Sequence, residues 1–134
     1  MKKVILTLLF ATLSLSAIEH KVIFDVRSGS ADVIDGQVLG NISLIRAHYA
    51  KVGDTLKAVV ILSGGTYPFF KRTTADKMLA NELAEMASIE VCSMGLAKRK
   101  ILPSEMLPFV KPAFNRTEAL IRYQNAGYAY ILVP

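Results

Sequence analysis

The spacing of apolar positions changes several times along the chain, and each change marks an element. Lys21 to Arg27, "KVIFDVR", is a β-branched and aromatic run ended by Ser28-Gly29-Ser30, which predicts a first strand. From Val33 to Val52 the apolar residues Val38, Ile42, Ile45, Tyr49 and Val52 are spaced 4, 3, 4 and 3 apart, one face of a helix, and Gly53-Asp54 stops it. Leu56 to Leu62, "LKAVVIL", is nearly continuous, as expected of a central parallel strand covered on both faces. Ser63-Gly64-Gly65 ends that strand, and Ala75, Leu79, Leu83 and Met86 form the stripe of a second helix over Thr73 to Ala87.

Ile89 to Cys92 is a third strand, followed by a short helix from about Met94 to Ile101. Pro103 and Pro108 bracket a turn, and Pro112 removes a ladder donor from the run Phe109 to Phe114, which places that strand at a sheet edge. Asn115 with Glu118 three residues on reads as the capped start of a last helix, with Ala119, Leu120 and Tyr123 inward and Gly127 at its end. Tyr128 to Val133, "YAYILV", is the final strand. Strands alternating with helices predict an α/β domain with a mainly parallel sheet and helices on both faces. In such sheets reactive groups gather beyond the carboxyl ends of the strands, where Cys92 is delivered.

The first residues follow a different pattern. Met1-Lys2-Lys3 is a short positive stretch, Val4 to Leu15 is almost wholly apolar, and small residues Ser14, Ser16 and Ala17 follow. This is the layout of a secretory signal peptide, and it is shorter than the about 20 residues a membrane span needs. Residues 1–17 are therefore set apart from a domain over 18–134, which is expected in the periplasm or outside the cell. Without Lys2 and Lys3 the formal charge falls from +5 to about +3. The longest basic run, Lys98-Arg99-Lys100, has no aromatic residues interleaved, which falls short of a nucleic-acid footprint.

The single cysteine allows no internal disulfide. A strand ending at Cys92, with Ser93 as N-cap and the free N–H groups of residues 94 to 96 turned back toward it, favours an anion. A thiolate so placed is a nucleophile of lowered pKa, and Lys98 and Arg99 would add positive potential. The opposing reading is a half-buried cysteine packing as a small hydrophobe; local sequence leaves both open. "SGGT", Ser63 to Thr66, is either a backbone nest for an anion or an ordinary turn, and no Lys-Ser/Thr follows as in a P-loop. Tyr67, Phe69 and Phe70 lie in an expected loop, where they either mark an interface or fold back over the core. His48 has no second histidine at metal spacing and reads as structural. Asp32, Asp35, Asp76 and Glu82 read as helix ends and solvated faces. If the leader is cut after Ala17, the sequence Ile18-Glu19-His20 supplies an amine, two amides and an imidazole, a square-planar set suited to Cu(II).

Two segments carry a family resemblance. "VCSMGLAKRKI" (Val91 to Ile101) is similar to the segment holding the sulfur-accepting cysteine in DsrE and its TusD relatives, and "YQNAGYAYI" (Tyr123 to Ile131) resembles the C-terminus of exported members. The chain thus resembles the DsrE/DsrF-like family of small sulfur-relay proteins over nearly all of residues 18–134. The resemblance implies an α/β/α sandwich on a five-stranded parallel sheet, assembled into trimers or hexamers. It also implies that Cys92 carries a persulfide sulfur passed between partner thiols.

The expectation is an exported DsrE-like protein that binds or transfers sulfane sulfur on Cys92, with no metal or organic cofactor. No G-x-G-x-x-G follows a strand, which argues against a nucleotide-cofactor enzyme. A non-catalytic oligomeric binding module using Tyr67 to Phe70 is the alternative from another class.

Overall fold

The computed structural model describes residues 16–134, so the expected leader lies outside the described residues apart from Ser16 and Ala17. Five strands form one sheet: β1 (Glu19–Val26), β2 (Thr55–Leu62), β3 (Ser88–Cys92), β4 (Val110–Ala113) and β5 (Ala129–Val133). Every pairing is parallel and the order across the sheet is β4-β3-β2-β1-β5.

Helix α1 covers residues 31–50 in three joined pieces: Ala31–Val33, a π-helical stretch Ile34–Leu39, and Gly40–Ala50. In the π stretch the Gly40 N–H bonds Asp35 O, five residues back. The widened turn brings Ile34, Val38, Leu39 and Ile42 to the core together. Val52, the last position of the apolar series, lies beyond the helix and is exposed. Helix α2 is one turn, Tyr67–Phe70; α3 is Lys77–Met86, α4 is Ser93–Lys98, and α5 is Arg116–Asn125. Asp76 caps α3 by accepting from Leu79 N, and Asn115 caps α5 by accepting from Glu118 N at 2.7 Å. The α5 cap is the one the Asn115/Glu118 spacing predicts.

The strand order explains the two layers. From β1 to β4 the chain steps one place at a time in the same direction, and right-handed crossovers put all those connections on one face. That face holds the larger core: Phe24, Val60 and Val91 pack under Ile34, Val38 and Ile42 of α1 and Leu79, Ala80 and Leu83 of α3. Each Phe, Val, Ile or Leu among them contributes about 1.5–3 kcal/mol on burial. The return from β4 to β5 must cross the whole sheet in the opposite sense, and α5 makes it on the other face, where Ala119, Leu120 and Tyr123 cover Ile23, Val59 and Ile61. The molecule is therefore a three-layer α/β/α sandwich with one thick layer and one thin one.

The turns after β1 and β2 pack backbone against backbone. A β-carbon on Gly29 would stand 2.1 Å from the Gly65 carbonyl oxygen, so only glycine fits. The Gly65 N–H bonds Arg27 O at 2.8 Å and the Thr66 N–H bonds Ser63 O at 3.2 Å. With the Ser63 N–H bonded to Val26 O at 3.1 Å, three of the four "SGGT" amides are spent within the fold, and the segment is an ordinary structural turn.

Candidate functional site

Strands β3 and β4 are neighbours whose exits leave on opposite faces. After β3 the chain enters α4, whose Leu96 packs in the larger core, and after β4 it enters α5 on the other side. Such a divergence opens a crevice beyond the strand ends, the usual place for a ligand in an open α/β sheet. Cys92 pairs with Ala113 in register at that point. Asn115 Nδ2 reaches across to Met94 Sδ at 3.7 Å, and the exposed side chains of Met94 and Phe114 flank the divide.

Cys92 itself caps α4, its Sγ accepting the Gly95 N–H at 3.3 Å. This corrects the expectation that Ser93 is the cap: helix φ/ψ values already begin at Ser93, and the extended residue before it is Cys92. Its thiol is free and largely enclosed, with 9% of the residue exposed. Near the sulfur stands the hydroxyl of Tyr67, its oxygen and the sulfur lying 1.9 and 3.5 Å from the point a β-carbon on Gly95 would occupy. Burial pushes the Tyr67 phenol up, and the proximity of Cys92 pushes it further, against the opposing pull of Arg99. The tyrosine therefore keeps its proton beside the sulfur.

The two basic residues expected near the thiol separate. Arg99, the residue ending α4, lays its guanidinium 4.7 Å from the centre of the Tyr67 ring and so joins the group through that ring. Lys98 is exposed in the last turn of α4, at the opposite end from the sulfur. There its charge complements the helix C-terminus instead of the thiol.

Of the two readings left open for the aromatic segment, burial supports the one in which it folds back over the core. Tyr67, Phe69 and Phe70 form the turn of α2 and are buried in the larger core. The Phe69 and Phe70 rings pack tilted, with centroids 5.0 Å apart. With the three rings buried, the segment offers no exposed aromatic surface. His20 lies in β1 with Nε2 2.9 Å from Asp54 Oδ2 and its ring stacked 3.7 Å from that of Tyr49. Its imidazole is committed to a carboxylate. Among the described residues no three His, Cys, Asp or Glu side chains converge as a metal site.

One cluster was not anticipated from sequence. Asp25, in β1, is fully buried (0%) and accepts a bidentate pair of bonds from Arg116, the Nε donating to Oδ1 at 2.7 Å and Nη2 to Oδ2. The Tyr130 hydroxyl donates to Oδ2 at 2.7 Å, and Arg27 stands 3.9 Å away. Burial alone would raise the Asp25 carboxyl, but the hydrogen bonds from Arg116 and Tyr130 and the two guanidinium charges outweigh it and hold the group below its ordinary value. The sequence signal was a lone acid inside the run "VIFDV", since an aspartate in a covered strand must find partners.

No protein-family model matches the chain, and no curated protein does. Among solved structures, it is similar to a protein of unknown function, MTH1491 from Methanobacterium thermoautotrophicum, at 20% identity and a TM-score of 0.67. The match covers 84% of this chain and 98% of that one. At that identity the likeness is one of fold.

Proposed function

We propose that this chain is an exported DsrE-like protein that holds sulfane sulfur as a persulfide on Cys92. The observation that carries the reading is the setting of Cys92 Sγ at the point where β3 and β4 diverge, with the Gly95 N–H directed at it and the Tyr67 hydroxyl nearby. In the reaction the Cys92 thiolate attacks a terminal sulfur of a polysulfide. A new S–S bond forms, one polysulfide S–S bond breaks, and its electron pair leaves on the shortened polysulfide. A partner thiolate then attacks the outer sulfur, takes it as its own persulfide and releases the Cys92 thiolate. No metal or organic cofactor enters either step.

Self-association into threes or sixes, which the resemblance implies, belongs to the same proposal. What supports it is edge strand β5, where Tyr130, Ile131 and Leu132 are 41%, 40% and 46% exposed and carry no charge. A binding module docking through Tyr67 to Phe70 would have no exposed aromatic surface to use.

Intact-mass measurement tests the sulfur reading. Native protein treated with polysulfide gains about 32 Da, one sulfur as a persulfide, and the Cys92→Ser variant gains none. A thiol that takes up sulfur only after denaturation returns Cys92 to the role of a core residue.

A further inference from the structure

We propose that the bond between Ala17 and Ile18 is a processing site, and that Asp54 is the built receptor for the α-ammonium group that cleavage leaves on Ile18. The main-chain nitrogen of Ile18 lies 3.0 Å from Asp54 Oδ1. The second carboxylate oxygen, Oδ2, is held 2.9 Å from His20 Nε2, and that imidazole is fixed in place by stacking 3.7 Å from Tyr49 with 8° between the planes. Main-chain bonds position the pair: Asp54 N donates to Tyr49 O and Thr55 N donates to Ile18 O, both at 3.0 Å. The start of β1, the end of α1 and the start of β2 thus converge on one carboxylate.

An uncleaved chain offers this carboxylate a single neutral N–H from position 18. Hydrolysis adds one water across the Ala17–Ile18 amide, leaving a carboxylate on Ala17 and a protonated amine on Ile18. The nitrogen stays where it is but gains a full charge and two further donors, and hydrogen bonds between charged groups are the stronger kind. The neighbouring bonds do not serve. A cut after Ser16 moves the ammonium about 3.5 Å along the chain to Ala17. A cut after Ile18 removes the carbonyl to which Thr55 N donates. Ser16, Ala17 and Ile18 are exposed and precede the first strand residue, Glu19, so the bond is open to a protease.

The contact also makes a pH signature. The titratable groups around the amine are Asp54 from the α1–β2 turn, His20 from β1 and Tyr49 from α1, with His48 tilted against Tyr49 at 5.8 Å. A free α-ammonium titrates at about 7.7–8.0, and Asp54 raises it in the folded chain. The added stability is therefore complete from just below that range down to the acid range where Asp54 itself takes up a proton, and is lost as pH climbs through the raised value.

The experiment needs no sulfur chemistry, so its outcome is separate from that of the persulfide reading. Intact mass of the exported protein should correspond to a start at Ile18. Thermal unfolding then compares the chain beginning at Ile18 with the same chain carrying Ala17. The Ile18 form should melt several degrees higher near pH 6–7, and the gap should close above about pH 10. Acetylating the Ile18 amine, which leaves every side chain intact, should abolish the gap, as should Asp54→Asn. An exported start at any other residue, or equal melting of the two forms at neutral pH, overturns the proposal.

Discussion

The hydroxyl of Tyr67 occupies the space that a side chain on Gly95 would need. A β-carbon built there would lie 1.9 Å from Tyr67 Oη, 3.0 Å from its Cζ and 3.5 Å from the Cys92 sulfur. The glycine leaves the room that the phenol occupies near the thiol. Gly95→Ala is expected to cost about 1–3 kcal/mol by overpacking, read in chemical denaturation. Adding Tyr67→Phe should restore part of that stability without restoring wild-type sulfur uptake by Cys92. Tyr67→Phe alone should keep the fold and the stacking of Arg99 but slow sulfur uptake. Uptake at the wild-type rate would assign the hydroxyl to packing.

Asp25 is buried and Arg116 half-buried over it, and loss of this pair should be felt by the whole domain. Arg116→Ala leaves a fully enclosed carboxylate without its main partner, a change that typically costs about 3–5 kcal/mol. Because the folded Asp25 group titrates below its ordinary value, its stabilisation is present above that ordinary value and drains away as pH falls through the lowered one. Wild-type melting temperature should therefore drop in strong acid. Asp25→Asn should be less stable at neutral pH and should show a flatter acid limb. Parallel acid limbs in the two proteins would place the acid sensitivity elsewhere.

On β5 the three exposed apolar residues leave an open ladder edge with no lysine or proline among them. Edges of that kind are ordinarily blunted by charge or covered by another chain. Ile131→Lys should lower the mass of the assembly seen by light scattering at micromolar concentration, while leaving the melting curve of the domain nearly unchanged. A wild-type protein that is strictly monomeric there would refute the association.

The strands were legible because their signals are local. "LKAVVIL" is continuous since β2 lies between β1 and β3 and is covered by both layers, and Pro112 marks β4 as an edge because it cannot donate. The Asn115 cap could be read for the same reason, donor and acceptor being three residues apart. What was missed depends on contacts distant in sequence. Asp25 meets Arg116 and Tyr130 across 91 and 105 positions, and periodicity has no means of pairing them. The burial of Tyr67, Phe69 and Phe70 turns on where α2 lands, which the turn chemistry of "GGTYP" does not specify. The cap at Cys92 was misplaced by one residue, since serine is a common cap and sulfur a rare one.

The same distances govern the order in which the molecule can assemble. Asp25 lies far ahead of Arg116 and Tyr130 in the chain, so the β1–β2 pair can form while that aspartate still faces water. Its dehydration has to wait for α5 to swing back over the sheet with the compensating guanidinium, and β5 is laid beside β1 by the same movement. The thin layer thus works as a late closure. A chain stalled before residue 116 would hold a nearly finished β4-β3-β2-β1 sheet with a bare charge on its uncovered face, a form that a quality-control protease could distinguish from the completed fold.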